Sequence, residues 1–205
     1  MKTIDELLTN LHRDTKIVAS ARFNKVKRLK RQNFLSLFSI TFMSITLILI
    51  SLYEKIIPLG SIPDLFNSIP NWFINITLSI IILTISIAIS TARLDFKIDK
   101  LHDSAIKINR ISRIIESHLC NQQSNIDDYK KLLNKYDNII KKNMLNHDEI
   151  DYFIAKHTVN KKKPDIKYFY FKNIKQLYPL VSYYLILLIS LVIISSITIN
   201  LITYD

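Results

Sequence analysis

The sequence predicts an all-α membrane protein: three transmembrane helices with a cytoplasmic helical-hairpin or coiled-coil region. Three observations lead there. The apolar residues collect in three uncharged blocks, Phe34 to Tyr53, Trp72 to Ala92 and Tyr178 to Ile202. Lys and Arg are spread very unevenly over the segments between them. Those charged segments carry apolar residues at alternating steps of three and four.

Each block reaches about 20 residues, enough at about 1.5 Å per residue to cross a hydrocarbon core of about 30 Å. A charged side chain at the centre of a span costs roughly 3 kcal/mol on insertion scales. The absence of charge from all three blocks is therefore what spans require. A core helix of a soluble protein keeps a charged face, and these blocks have none. The first block starts too deep for a cleavable signal peptide and has no small-residue cleavage site after it. Cys120 stands alone, which excludes an intramolecular disulfide.

Charge sets the expected topology. Residues 1–33 hold nine Lys/Arg and residues 93–177 hold eighteen, but residues 54–71 hold only Lys55. Positive charge beside a span marks the cytoplasmic side. The N-terminus is therefore expected inside and the extreme C-terminus outside, in a multi-pass protein. The expected parts are a basic amphipathic helix over 1–33, the first span over 34–53 and an external loop over 54–71. The second span follows over 72–92, then a cytoplasmic hairpin over 93–143. A short helix and basic juxtamembrane segment cover 144–177, before the third span over 178–202. Pro58, Gly60, Pro63 and Pro70 give the loop its turn chemistry. Tyr53, Trp72, Tyr178, Tyr183 and Tyr184 sit where aromatic side chains anchor at the membrane interface.

Within the cytoplasmic segments, Thr3 and Glu6 have capping-box spacing. The helix they open is expected to run into the first span. After the second span the helix is expected simply to continue. Leu94, Ile98, Leu101, Ala105, Ile108, Ile115 and Leu119 form a seam of about four heptads, interrupted only by Ser112. A polar turn at 120–125 and a second 3–4 repeat from Ile126 to Ile140 complete a hairpin. The seam could close on itself or pack against other copies. A further helix is expected to open at Asn146, with Glu149 three residues on. Tyr168 to Phe171, mixed with Lys167, Lys172 and Lys175, are expected along the membrane surface, aromatics down.

Little here suggests bond-making chemistry. No two of the five histidines have metal-ligand spacing with a carboxylate, and one glycine cannot build a phosphate-cradling loop. Neither catalytic residues, nor a metal, nor a cofactor is expected. Arg22, Lys25, Lys27, Arg28, Lys30 and Arg31 before the first span, and Arg93 and Lys97 after the second, are candidate cations for lipid headgroups or a small anionic ligand. Headgroup binding explains them more simply than nucleic acid, which is not expected as a partner. In the second span, Asn75, Ser79, Ser86 and Ser90 share one face, as Ser36, Ser39 and Thr46 do in the first. Such a stripe can line a pore built from several copies. It can equally serve helix packing by small polar residues, the plainer reading.

Three stretches carry a family resemblance. They are Ala21 to Arg31, the closely spaced span pair followed by Leu101 to Asn109, and Tyr129 to Asn138 with Asp151-Tyr152. The sequence resembles the SLATT proteins, small bacterial membrane proteins associated with nucleotide-synthesising and nucleotide-sensing partners. The resemblance implies an anti-phage effector of the bacterial inner membrane. It would form homo-oligomers and permeabilise or depolarise the lipid membrane when a separate signalling partner, a nucleotide-synthesising or sensing protein or a reverse transcriptase, reports infection. The alternative is a membrane-anchored scaffold that recruits such a defence enzyme. The family supplies no catalytic residues to carry over.

Overall fold

The computed structural model describes residues 3–56, 70–121, 125–143 and 145–204. Among them there are helices and turns and no strands. The expected turn residues Pro58, Gly60 and Pro63, and the centre of the expected polar turn at 122–124, lie outside the described residues. The chain divides into two compact units. One comprises residues 1–31 and 94–178, the other 32–93 and 179–205.

Helix α1 runs unbroken from Ile4 to Ile56. Its start is the box read from sequence. The Glu6 backbone N–H donates to Thr3 Oγ1 at 3.3 Å, and the Thr3 N–H donates to Glu6 Oε2 at 3.2 Å. Two donors that a helix start leaves orphaned are thus satisfied reciprocally.

In the apolar unit, α1 packs with α2 (Asn71–Ala92) and α7 (Val181–Tyr204). Among the described residues, three helices are long and apolar enough to cross a membrane. The core joins Met43, Ile50 and Tyr53 to Leu78, Ile193 and Ile197. Ser36, Ser39 and Thr46 are fully buried beside it on α1, and Ser190 on α7. Ser39 Oγ lies 2.7 Å from the Leu35 carbonyl and 3.3 Å from the Tyr183 carbonyl on α7. Small hydroxyl residues let apolar helices approach closely where no hydrophobic driving force separates helix from lipid. The first span's polar stripe is therefore used in packing inside the chain. The spans differ sharply in what they bury. Of the first span's most apolar window, 28% is inside the chain, against 17% for the third and 6% for the second. The second span is the open one.

The expectation of a continuous helix after the second span is corrected at one residue. Helix α2 ends at Ala92, and Arg93 adopts a left-handed conformation (φ 46°, ψ 47°) before α3 starts at Leu94. A side chain with a Cβ crowds the next carbonyl there, at roughly 1–2 kcal/mol.

In the helical unit, α1 packs on α3 (Leu94–Asn121), α4 (Ile126–Lys142) and α5 (Glu149–Val159). Leu8 and Leu11 of α1 meet Ile111 and Ile115 of α3 and Leu132 of α4. The α3 seam is closed within the chain: Leu94, Ile98, Leu101, Ala105, Ile108 and Ile115 are buried, and Leu119 is half-buried. Ser112, the apparent interruption, is buried as well. Helix α1 completes this core with its own buried positions, Leu8, Leu11, Thr15, Arg22, Val26 and Leu29.

Helix α5 opens later than its sequence suggested. Its capping box is Asp148 with Asp151, two residues beyond the Asn146–Glu149 pair. The Asn146 carboxamide oxygen instead accepts from the His147 N–H at 2.9 Å. After α6 (Ile166–Phe169), a π-helical turn spans Tyr170–Lys175 and a 3-10 turn Tyr178–Leu180. The aromatics here divide rather than facing one way. Phe171 is buried against Ile150 and Ile154, whereas Phe169 and Tyr170 are exposed.

Arg93 gives a direct test of local strain. Arg93→Gly should leave stability unchanged or raise it slightly, because glycine has no Cβ to clash. Arg93→Val should lower stability by about 1–2 kcal/mol. The thermal midpoints of the two variants in detergent would check both signs.

Candidate functional site

Arg22 stands about 120° around α1 from Arg28, whereas Lys25 and Arg28 are one step of three apart and share a face. The structure turns that face toward the start of α5. Arg28 donates to the Asp151 carboxylate through Nη2 at 2.8 Å and Nε at 3.4 Å, and it also bonds Asp148. Lys25 Nζ donates to Asp148 Oδ1 at 2.9 Å and to the Asn146 carbonyl at 2.7 Å. Asn24 donates to the Asp151 carbonyl at 3.5 Å. Asp151 has no exposed surface. Its carboxylate also accepts the Asp148 N–H at 3.4 Å, so one group caps α5 and pairs with α1.

The electrostatics follow from burial and pairing. Burial alone would lower the Arg28 pKa, but hydrogen bonds and attraction from Asp151 and Asp148 raise it above its ordinary value. Burial would raise Asp148, but the bonds from Lys25 and Arg28 hold its carboxyl below the usual value. His147 stacks on Tyr152 with centroids 5.3 Å apart. Burial first, and then Arg22 and Lys25, push it below the ordinary histidine value, against the pull of Asp151 and Asp148. His12 is likewise lowered, by burial and then Lys16.

Arg22 is different. It is 1% exposed and donates through Nη1 to Ser104 Oγ on α3. Its Nε has no hydrogen-bond partner among the described residues. Burial lowers its pKa, opposed only by the attraction of Tyr136 once that phenol is ionised. Burial in turn raises Tyr136 above its ordinary value.

The eight cations read together from sequence thus separate. Arg22 is buried and Lys25 and Arg28 are half-buried against carboxylates of the helical unit, whereas Lys27, Lys30, Arg31, Arg93 and Lys97 are exposed. On the second span, Asn75 and Ser86 are half-buried, and Ser79 and Ser90 are exposed. Ser79 Oγ donates to the Asn75 carbonyl at 2.8 Å. The Asn75 side-chain oxygen is buried without a partner among the described residues. Asp148 and Asp151 were not singled out as a site by sequence. The usable signal was the Asp-x-x-Asp spacing before an apolar helix. Among the described residues no group of three His, Cys, Asp or Glu is placed to hold a metal.

A family model matches residues 4–201, essentially the whole chain: SMODS and SLOG-associating 2TM effector domain family 5. The chain belongs to SLATT family 5. Neither curated proteins nor solved structures match it. The SLATT family is one of effector transmembrane domains associated with defence systems, not a known catalytic family. The family description names two spans, yet the matched SLATT region also takes in the third apolar helix, α7.

The Asp151 pair should be costly to break. Asp151→Asn should destabilise the protein by about 3 kcal/mol, because Arg28 is left with only the exposed Asp148, which it shares with Lys25. Adding Arg28→Met should recover part of that loss in a double-mutant cycle read by thermal midpoint.

Acid should weaken the same unit. His12 and His147 have lowered folded pKa values, so their contribution is present above about 6.5 and is lost as pH falls. Asp148, also lowered, loses its contribution only at more acid pH, as pH falls through its folded value. The thermal midpoint should drop from about pH 7.5 to about pH 5.5, and less so in His147→Gln.

Proposed function

We propose that this chain is a membrane effector that assembles from several copies and permeabilises or depolarises the membrane when a separate partner signals infection. The observation that carries the reading is the location of the second span's polar residues. The first span's Ser36, Ser39 and Thr46 are consumed in packing inside one chain. Asn75, Ser79, Ser86 and Ser90 belong to a span that is only 6% buried. Most of that helix is left for neighbours outside the chain. Ser79 and Ser90 are the exposed members of the stripe, and a polar face left open on an apolar span favours a protein neighbour or a water-filled path over lipid.

On this reading the helical unit lies in the cytoplasm of a bacterium, the chain spans the inner membrane, and the C-terminus lies outside. The partner is a nucleotide-synthesising or nucleotide-sensing protein, or a reverse transcriptase. Copies meet through the second span rather than the α3 seam, because Ile98 and Leu101 already lie in the chain's own core.

A scaffold that recruits a defence enzyme is the second reading. It is favoured by the separate core of the helical unit. Residues 93–177 alone would be a poor test of it, since Leu8, Leu11 and Arg28 of α1 complete that core. Replacing 72–92 with an unrelated apolar span is the better one. A scaffold keeps its activity, and a permeabilising effector loses it.

The direct test is planar-bilayer conductance of the full-length chain beside Ser79→Leu/Ser86→Leu. Discrete currents are expected, and the double substitution should abolish them or change their unit conductance. Currents indifferent to it would remove the second span from the path.

A further inference from the structure

Within the helical unit, a cleft of about 200 Å³ opens between α3 and the end of α4. Lys100, Asp103, Ser104 and Lys107 line it from α3, and Lys142 and Asn143 from the end of α4. The α3 residues fall at i, i+3, i+4 and i+7, so they form one helix face. Asn143 Nδ2 donates to the Lys100 carbonyl at 2.9 Å, which ties the two walls together. The volume is small against that of drug-sized sites, which run to about 300–1,000 Å³. It suits one compact group.

The charge of this cleft does not balance. Among the lining residues Asp103 is the one carboxylate, and Lys107 neutralises it at 2.6 Å. Lys142 remains, and so does Lys100, whose Nζ rests 4.4 Å from the Phe96 ring centre rather than on a carboxylate. Behind Ser104 lies Arg22, buried and bonded to that same hydroxyl. The buried carboxylate of Asp151 is taken by Arg28. Ser104 supplies only a neutral hydroxyl, and the Tyr136 phenol stays protonated at neutral pH. A buried guanidinium without a counter-charge is costly. A polar surface cleft that opens at its hydrogen-bond partner, and is walled by two lysines with no carboxylate partner among the described residues, is where that counter-charge would enter.

We infer that the cleft binds a phosphate group, held by Lys100, Lys142 and the Ser104 hydroxyl, with Arg22 compensated from behind. A phosphate has several acceptor oxygens and enough charge to meet donors from different directions. Its occupancy links three helices, because Arg22, Lys100 and Lys142 stand on α1, α3 and α4. The group could belong to a soluble phosphoester or to a lipid headgroup.

The experiment uses the full-length protein in detergent, with inorganic phosphate and pyrophosphate as probes and chloride at matched ionic strength as control. A saturable rise in thermal midpoint is expected with the phosphates and not with chloride. Lys100→Ala/Lys142→Ala alters two exposed residues and should weaken the apparent affinity about tenfold or more. Lys162→Ala/Lys163→Ala, exposed elsewhere, should leave it unchanged. Arg22→Met should keep or raise the phosphate-free midpoint and abolish the phosphate-linked rise. Should that variant not fold, the lysine pair carries the test.

A second arm compares nanodiscs of phosphatidylglycerol with nanodiscs of phosphatidylcholine. Stabilisation by phosphatidylglycerol that Lys100→Ala/Lys142→Ala removes, with no response to the free phosphates, assigns the group to lipid. A response to the free phosphates assigns it to a soluble ligand. No saturable effect in either arm, or an equal effect in the lysine variant, overturns the inference.

Discussion

A carboxylate sealed from water must find a fixed cation, and in this protein Asp151 finds Arg28. Taking both charges out of water is expensive, so the pair holds only in good geometry. Arg28 supplies it by reaching Asp151 through two nitrogens while also holding Asp148. Asp151 simultaneously caps its own helix through the Asp148 N–H. The start of α5 is thereby fixed against one face of α1, and the rest of the helical unit's packing around α5 depends on that placement. With α5 held there, Ala155 meets Ile17 and Ala21, and Ile150 and Ile154 present a surface for Phe171. The π-helical turn Tyr170–Lys175 brings Phe171 inward there while Phe169 and Tyr170 stay outside.

The pair also explains why a strongly basic stretch need not be a binding surface. Lys25 and Arg28 have lost much of their availability to outside anions, because internal carboxylates already occupy them. Arg22 has not been given such a partner. Two arginines on one helix, less than two turns apart, therefore have opposite electrostatic situations. One is saturated and structural. The other is buried and short of negative charge.

Much of the architecture was legible because it rests on local rules. The uncharged blocks gave three apolar helices, Thr3 and Glu6 gave the start of α1, and the 3–4 steps of Leu94 to Leu119 gave the inner face of α3. The features that stayed hidden depend on contacts far apart in the chain. Arg22 reads as one more cation until Ser104, eighty-two residues away, closes over it. The Asp148–Asp151 cap lost to the Asn146–Glu149 spacing because only the incoming Arg28 and Lys25 decide between them. Ser112 read as a flaw in the seam because a hydroxyl looks polar, yet it fits a tightly packed helix contact. The left-handed Arg93 has no local signal, since glycine or asparagine would be expected there.

Helix α1 shows the same dependence on surroundings along its own length. Within the helical unit its buried positions are mostly apolar, with Leu8, Leu11, Ile17, Val26 and Leu29 excluded from solvent. Within the apolar unit they include Ser36, Ser39 and Thr46, at similar three-and-four steps. The change arises from what surrounds the helix. In water, burying leucine is favourable and burying serine is not. Among apolar chains, leucine gains nothing by choosing a protein neighbour over lipid, so close approach and backbone-satisfied hydroxyls decide the contact. Ser36, Ser39 and Thr46 each donate to a carbonyl three or four residues earlier on their own helix, which leaves them small and internally satisfied. A pattern that would be an error in one unit is thus the packing solution in the other. By the same rule, the hydroxyls of the second span report a contact only once it is known what lies against them.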